Sequence, residues 1–194
     1  MFLIELPFCN KAWDRAFARY IHDLEEARQK PVVVVGDLNV AHRAVDMHNF
    51  YCRPGFPEKF PPPTHHDVLT NEYVGITRLK SQAGCTPTER VSFGQLLHEG
   101  RLVDTYRQLH PQALGMFSYW SQRARNRKHN RGLRLDYALA SRLLVCPPRP
   151  DALRVTHSFI CNDESVFPPF SDHCPVGVRL DEDSGDDYEY IICR

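Results

Sequence analysis

Val32-Val33-Val34-Val35-Gly36-Asp37-Leu38-Asn39 is the stretch from which the fold of this chain can be inferred. Four consecutive β-branched residues predict a strand that is buried on both faces. Gly36 ends this strand, and Asp37 and Asn39 follow at its carboxyl end, where open α/β sheets usually place their chemistry. In the alternative, Asp37 and Asn39 only satisfy the backbone groups of a turn, as Asx residues often do.

Two further polar sites lie far downstream, each beside a predicted strand. In residues 133–140 large apolar residues alternate with other types, so Asp136 points away from the leucine stripe. Asp172 and His173 come directly before the predicted strand 174–180. Three acidic sites at strand edges predict one shared metal or phosphate site. The alternative is that Asp136 and His173 form a buried structural pair.

The composition excludes several classes of protein. The 194 residues carry 24 basic and 24 acidic side chains, so any affinity for nucleic acid or membrane must be local. No stretch is apolar enough to span a bilayer, and the N-terminus is a poor signal peptide. Seven scattered cysteines without a C-x-x-C predict an intracellular, reduced protein rather than a disulfide scaffold or zinc site. His65-His66 is interpreted as an ordinary loop pair.

Local patterns predict the remaining elements. A helix is expected over 11–28, with Trp13, Phe17, Tyr20, Ile21 and Leu24 in the core. Thr86 and Glu89 form a capping box for a second helix that runs to Gly100. Strands are predicted at 102–103, 116–120, 133–140, 153–160 and 174–180. Prolines mark residues 50–74 as a surface insertion, and residues 181–194 form an acidic tail.

A dense basic segment interrupts this otherwise neutral sequence. Its cationic residues are Arg123, Arg125, Arg127, Lys128, Arg131 and Arg134. A run of this density favours contact with a polyanion, although a solvated loop is the simpler alternative.

Three motifs together resemble those of the exonuclease III-type AP endonucleases, in the endonuclease/exonuclease/phosphatase superfamily. They are G-D-L-N-V-A-H at 36–42, R-L-D-Y at 134–137 and S-D-H-C-P at 171–175. The connecting pieces at 13–17, 83–90 and 119–121 fall in the expected order, so the resemblance covers almost all of residues 3–180. It implies an α/β (α+β) fold, the C-terminal half of a DNase I-like four-layer α/β sandwich with a mixed sheet and flanking helices. Residues 1–180 would form the C-terminal part of that domain.

The resemblance also implies catalytic roles for Asp37, Asn39, Asp136 and His173. Asp37 would orient and deprotonate the attacking water, and Asn39 would hydrogen-bond that water or the scissile phosphate. His173 would contact a phosphate oxygen, with its tautomer fixed by Asp136. Asp172, together with Asp37 and Asn39, would bind Mg²⁺, with Mn²⁺ as the alternative ion. A hard cation and a histidine donor are what phosphodiester cleavage needs, because negative charge grows on the phosphoryl oxygens.

The substrate implied is double-stranded DNA with an abasic site. The residues implied to contact it are Tyr119, Trp120, Arg123, Arg125, Arg127, Leu133 and Leu135. Of these, Tyr119, Leu133 and Leu135 match the apolar pocket for a flipped-out abasic sugar. The family often has Trp where this chain has Leu133, so selectivity between abasic sites and 3′-end trimming is left open.

The family's first half has no match in this chain. An Asn, a metal-binding Glu after a Gln, and an active-site Tyr are among the residues without a counterpart. We therefore expect a C-terminal fragment or a truncated gene model, with about one sheet whose inner face is uncovered. The expected activity is Mg²⁺-dependent cleavage of DNA at abasic sites, with 3′-phosphodiesterase or 3′–5′ exonuclease activity as a further option. The alternatives are a non-catalytic fragment that binds DNA or a partner, and a phosphoinositide or RNA phosphoesterase. The complete protein is expected to be a monomer without membrane contact, located in the nucleus or, alternatively, the mitochondrion.

Overall fold

A computed structural model describes residues 7–48, 82–149, 152–163, 171–181 and 187–192. The predicted Pro-rich insertion at 50–74 lies outside the described residues. Among the helices that are described, none combines the length and the apolar character needed to cross a membrane.

Helices and strands alternate along the described chain up to the last three elements, which are all strands. The helices are α1 (Pro7–Arg28), α2 (Pro87–Glu99), α3 (Thr105–Leu109) and α4 (Arg142–Val145). The strands are β1 (Val33–Asp37), β2 (Leu102–Asp104), β3 (Asp136–Ser141), β4 (Arg154–Ile160), β5 (Val176–Asp181) and β6 (Asp187–Ile192). They form two three-stranded sheets, in the orders β1-β3-β2 and β4-β5-β6. Every strand pair in these sheets is antiparallel, so the parallel pairs of a mixed sheet do not occur among the described strands.

β3, rather than the valine strand, is the middle strand of the first sheet. Its residues are all buried, and its register with β1 sets Asp136 directly opposite Asp37. β1 lies at the edge of the sheet that the described strands form, and its five residues are only half-buried. The prediction that this strand is buried on both faces is therefore wrong for the described structure.

The two sheets pack face to face. Ala138 and Ala140 of β3 lie in one buried cluster with Val178 and Leu180 of β5. The small alanine side chains let the two sheets approach closely. The expectation of about one sheet with an uncovered inner face is wrong here, because the second sheet covers the inner face of β3.

The helices α1 and α2 cover the outer face of the first sheet. Ala18 and Ile21 of α1 are buried against Phe93 of α2 and Leu139 of β3. Trp13 and Tyr20, predicted to be core residues, are instead 53% and 60% exposed. Ala18 and Ile21 form the packed side of α1, and Trp13 and Tyr20 lie outside it.

The N-terminus of α2 confirms the predicted capping box. The Thr86 hydroxyl accepts a hydrogen bond from the Glu89 amide at 3.3 Å, and the Glu89 carboxylate accepts one from the Thr86 amide at 2.9 Å. Pro87 occupies the first helical position, where its missing N–H costs nothing.

Two segments differ from their predicted structure. The predicted strand at 116–120 is absent, because the amides of Ser118 and Tyr119 both donate to the Leu133 carbonyl and interrupt the ladder. Tyr119 instead makes single bridges to Leu133 and His173. Conversely, residues 187–192 of the acidic tail form β6, which pairs with β5 along its length.

Candidate active site

Asp37, Asp136 and His173 come together at the end of the first sheet. One ligand atom from each of these side chains lies within 4.8 Å of the other two. The Asp136 Oδ2 atom accepts a hydrogen bond from His173 Nδ1 at 2.7 Å. Because Nδ1 is engaged, Nε2 is the ring nitrogen left to face a substrate. The structure thus joins three of the four residues predicted to be catalytic.

Backbone contacts hold Asp136 and His173 in place. The Ser118 hydroxyl accepts hydrogen bonds from the amides of Leu135 and Asp136 at 2.9 and 3.0 Å. The Ser171 hydroxyl accepts one from the His173 amide at 3.1 Å. Neither serine was predicted as a site residue, because a sequence motif does not report which hydroxyl accepts from a backbone amide.

The loop after β1 carries Asn39 and is tied to β3. The Asn39 amide donates to Asp37 Oδ1 at 2.9 Å, an Asx turn of the kind considered as the alternative role for these residues. Asn39 has φ of 54°, a left-handed conformation that asparagine tolerates. The Tyr137 hydroxyl donates to the Val40 carbonyl and accepts from the His42 amide. Asp37 therefore has a turn role and also lies in the cluster.

His173 is biased toward its protonated form. The hydrogen bond that His173 donates to Asp136 raises the pKa of His173 most strongly, while burial opposes it. The nearby carboxylates of Asp37 and Asp172 raise this pKa further. A protonated imidazole can donate from Nε2 to an anionic oxygen.

The donor set fits a divalent cation. Asp37 and Asp136 offer the hard carboxylate oxygens that Mg²⁺ takes in proteins. Asp136 accepts a hydrogen bond from His173 and Asp37 accepts one from the Asn39 amide, and both carboxylates lie within the three-residue group. The predicted metal ligand Asp172 is close enough to influence His173 but is not part of the three-residue group.

A buried charge network lies beside the site and was not predicted. Arg134 donates to Asp46 and to Asp104 through hydrogen bonds of 2.6–3.1 Å, and Arg107 donates to Asp46 at 2.8 Å. Burial alone raises the pKa of Asp46, but Arg134 and Arg107 outweigh it and hold the pKa below its ordinary value. Arg134 is 0% exposed, so its assignment to a basic surface is wrong. In the alternating segment 133–140, Arg134 falls on the same side as Ala138 and Ala140, and small residues of this kind indicate a closely packed face.

His42 is buried next to this network without a hydrogen bond from either ring nitrogen to another described residue. Burial lowers the pKa of His42 from 6.5 to about 3. We therefore expect the free energy of unfolding to decrease as the pH falls from 6.5 toward 3, because only the unfolded chain protonates this ring. For one proton the slope approaches about 1.4 kcal/mol per pH unit.

Urea denaturation of the protein and of His42→Asn between pH 4 and 7 measures this slope. The free energy of unfolding of the variant is expected to depend less steeply on pH, by the contribution of about one proton. The contribution of His173 to the free energy of unfolding has the opposite pH dependence. Because the pKa of His173 is raised, that contribution is largest below pH 6.5 and is lost as the pH rises. Equal slopes for the two proteins would contradict the assignment to His42.

The residues predicted to contact DNA lie in different environments. Arg123, Arg125 and Lys128 are exposed, whereas Trp120, Leu133 and Leu135 are largely buried. Arg127 stacks over Trp120 at 4.6 Å and donates to the Ser171 carbonyl at 3.1 Å. Arg127 therefore ties the basic loop to the segment that carries His173. Trp120, Arg125, Arg127 and Lys128 also line a cavity of about 450 Å³ together with Asp172.

The fold and this cluster define a phosphoesterase-like site, and the sequence matches the Endonuclease/Exonuclease/phosphatase family over residues 5–173. The chain belongs to that family. Within it, the chain resembles the exonuclease III-type AP endonucleases. It is 33% identical over 179 residues to the DNA-(apurinic or apyrimidinic site) endonuclease of Dictyostelium discoideum, which covers 92% of this chain and 39% of that protein.

Two further comparisons agree. The exodeoxyribonuclease of Bacillus subtilis is 31% identical over 168 residues, covering 87% of this chain and 51% of that protein. The crystal structure of an AP endonuclease from Leishmania major superposes with a TM-score of 0.67 at 28% identity, covering 94% of this chain and 46% of the other. The chain thus spans about half the length, or less, of these relatives.

Proposed function

We propose that this chain carries the catalytic residues of a divalent-metal-dependent DNA repair phosphodiesterase that cleaves DNA at abasic sites. The observation that carries this proposal is the cluster of Asp37, Asp136 and His173, with its 2.7 Å hydrogen bond between Asp136 and His173. Phosphodiester hydrolysis requires a carboxylate that accepts a proton from the attacking water. It also requires an oriented imidazole that donates a hydrogen bond to the phosphate.

We assign a role to each of the predicted catalytic residues. Asp37 accepts the proton of the attacking water, and Asn39 positions that water or the scissile phosphate. His173 donates from Nε2 to a phosphoryl oxygen as negative charge develops there, while Asp136 holds the ring in place. Asp37, with Asn39 and Asp172, would hold Mg²⁺, which would supply Lewis acid stabilisation of the phosphoryl oxygens.

Local charge and the relatives support DNA as the substrate. Arg123, Arg125 and Lys128 are exposed on one loop of a protein with no net charge, which suits phosphate contacts. The relatives from Dictyostelium and Arabidopsis are named as endonucleases acting at apurinic or apyrimidinic sites. Tyr119, Leu133 and Leu135 would receive the abasic sugar. A repair role would place the protein in the nucleus or the mitochondrion, acting as a monomer when complete.

A second candidate is a chain that binds abasic DNA without cutting it. This candidate is favoured by the partial match in length, because the chain spans only 39% and 51% of the lengths of the Dictyostelium and Bacillus relatives. Binding without cleavage would then be the whole activity of the isolated polypeptide.

Incision of a duplex oligonucleotide with one abasic site separates the two candidates. With Mg²⁺ we expect a single cut that a chelator abolishes and that Asp37→Asn slows by about 10²–10⁴-fold. Binding of the same duplex, measured by anisotropy, should survive the substitution. Cutting that is insensitive to Asp37→Asn would overturn the catalytic proposal, and binding without any cutting would support the second candidate.

A further inference from the structure

The loop that carries Asn39 lies beyond the strand pairing of the first sheet. The pairing of β1 with β3 ends at Asp37 and Asp136, and one further amide, that of Leu38, donates to the Leu135 carbonyl at 2.9 Å. Asn39 follows with φ of 54°, a left-handed conformation that residues other than glycine adopt rarely. Such a conformation persists only where the surrounding structure holds it. The position of Asn39 therefore depends on contacts from outside the ladder.

The Tyr137 hydroxyl holds this loop from the side of β3. It donates to the Val40 carbonyl at 2.5 Å and accepts from the His42 amide at 3.1 Å. Val40 and His42 are both buried, and buried backbone groups need hydrogen-bond partners. One side-chain hydroxyl thus gives this loop the backbone contacts that a neighbouring strand would otherwise provide.

The Tyr137 side chain is itself fixed in direction. It is 1% exposed, and its ring packs against Phe93 with the ring centroids 4.8 Å apart. The guanidinium of Arg134 lies over the same ring, 4.4 Å from its centroid. Tyr137 also follows Asp136 directly in β3. The loop with Asn39 is therefore held by the same strand that carries the Asp136 carboxylate.

Gly84 holds the loop from a second segment, just before α2. Its carbonyl accepts a hydrogen bond from the Ala41 amide at 2.7 Å. Gly84 has φ of +76°, and a Cβ at this position would lie 2.7 Å from the Asn39 carbonyl oxygen. Glycine is therefore needed here both for the conformation of the backbone and for its close approach to the loop.

We propose that Tyr137 is a positioning residue for Asp37 and Asn39, which are together called the nucleophile half of the site. The Tyr137 hydroxyl fixes the loop, and the Asn39 amide at the start of that loop donates to Asp37 Oδ1 at 2.9 Å. Gly84 is the second support of the same loop. This inference rests on the proposed function, in which the nucleophile half holds the attacking water and the cation.

The histidine half of the site, Asp136 with His173, has separate supports. The Ser118 hydroxyl accepts from the Asp136 amide, and the Ser171 hydroxyl accepts from the His173 amide. Loss of the Tyr137 hydroxyl should therefore disturb one half and spare the other, which a general loss of stability would not do.

Binding of Mn²⁺ to the DNA-free protein tests the nucleophile half without requiring cleavage, and the EPR signal of the free ion measures it. Tyr137→Phe keeps the ring and removes only the hydroxyl. We expect its Mn²⁺ dissociation constant to rise about 10-fold, a size typical for residues that support metal ligands. A merely structural role would lower the stability and leave the Mn²⁺ affinity of the folded molecules unchanged. An unchanged affinity would overturn the inference.

The NMR signal of the His173 Nδ1 proton reports on the histidine half. It should be the same in the parent and in Tyr137→Phe, because the hydrogen bond from this proton to Asp136 does not involve the loop. Loss of this signal in Tyr137→Phe would mean that the whole site is disturbed, and it would overturn the specific role of the hydroxyl.

Steady-state cleavage of an abasic duplex separates positioning from substrate binding. In Tyr137→Phe we expect kcat to fall about 10–100-fold and KM to change less than about 3-fold, because the buried hydroxyl is out of reach of DNA. Tyr106→Phe makes the same chemical change at another buried tyrosine and should leave kcat, KM and the Mn²⁺ affinity unchanged. A rise in KM with kcat unchanged would contradict a positioning role.

Gly84→Ala tests the same loop through its second support. The new Cβ would collide with the Asn39 carbonyl, so the loop must shift while the Tyr137 hydroxyl stays in place. The Mn²⁺ dissociation constant should again rise and kcat should again fall. If Tyr137→Phe does not fold, the Mn²⁺ affinity of Gly84→Ala decides the inference alone.

The outcomes distinguish this inference from the proposed function. A parent that does not cleave, but whose Mn²⁺ affinity falls in Tyr137→Phe, would remove the catalytic proposal and leave the positioning role. A parent that cleaves, with both variants equal to it, would remove only the positioning role. A parent that neither cleaves DNA nor binds Mn²⁺ would remove both.

Discussion

Asp136→Asn is expected to slow DNA cleavage by about 10²–10⁴-fold while the protein stays folded. The Asp136 carboxylate accepts the hydrogen bond of His173 Nδ1, and this contact fixes both the tautomer and the direction of the ring. An amide at this position can donate its NH₂ group to Nδ1, which places the proton of a neutral ring on Nε2, or accept from Nδ1–H through its oxygen, so it no longer fixes one tautomer. The imidazolium that His173 forms would also lose its counter-charge.

Two measurements check this expectation. Single-turnover cleavage of an abasic duplex gives the loss of rate, and an NMR titration gives the pKa of His173 without requiring activity. The pKa of His173 should fall toward its ordinary value, because the hydrogen bond with Asp136 is the largest cause of its rise. Asp23→Asn makes the same chemical change at an exposed carboxylate and should alter neither quantity. An unchanged rate together with an unchanged pKa would refute the orienting role.

The cluster itself could be predicted because its members sit at strand ends. Asp37 follows a run of valines, Asp136 lies in an alternating segment, and His173 precedes a strand, so each leaves a local signal. The antiparallel register of β1 and β3 then sets Asp37 opposite Asp136. The alternating pattern also predicted correctly that Asp136 points away from Tyr137 and Leu139. These two residues pack on the outer face of the sheet, whereas Ala138 and Ala140 pack between the sheets.

The supporting residues could not be predicted in this way. Ser118 accepts from the amides of Leu135 and Asp136 at the start of β3. Arg107 and Arg134 reach Asp46 from separate segments, so these roles exist only in three dimensions. A sequence pattern reports burial along one element and does not report which elements become neighbours. The same limit explains why β1 was expected to be buried on both faces and why β6 was assigned to a tail.

Arg134→Met is expected to lower the free energy of unfolding by about 3–5 kcal/mol, a large part of the stability of an ordinary domain. The side chain of methionine fills much of the same space, so the loss comes from charge rather than from a cavity. Asp104 would lose the guanidinium that donates to both of its oxygens, and Asp46 would keep Arg107 as its one charged hydrogen-bond donor among the described residues, together with the Arg43 amide. Urea denaturation at pH 7 measures the change. Arg131→Met, three residues away and exposed, should stay within about 0.5 kcal/mol of the parent.

A double-mutant cycle with Asp104→Asn shows whether the lost pairing is the cause. In the parent, Asp104→Asn removes a partner of Arg134 and should destabilise the protein, although asparagine can still cap the Arg107 amide. In the Arg134→Met background the same substitution removes an unpaired buried charge, so it should recover part of the lost stability. The two changes should therefore be coupled by about 0.5–3 kcal/mol. Additive effects would mean that Arg134 stabilises the protein through packing alone, including its stacking on the Tyr137 ring at 4.4 Å.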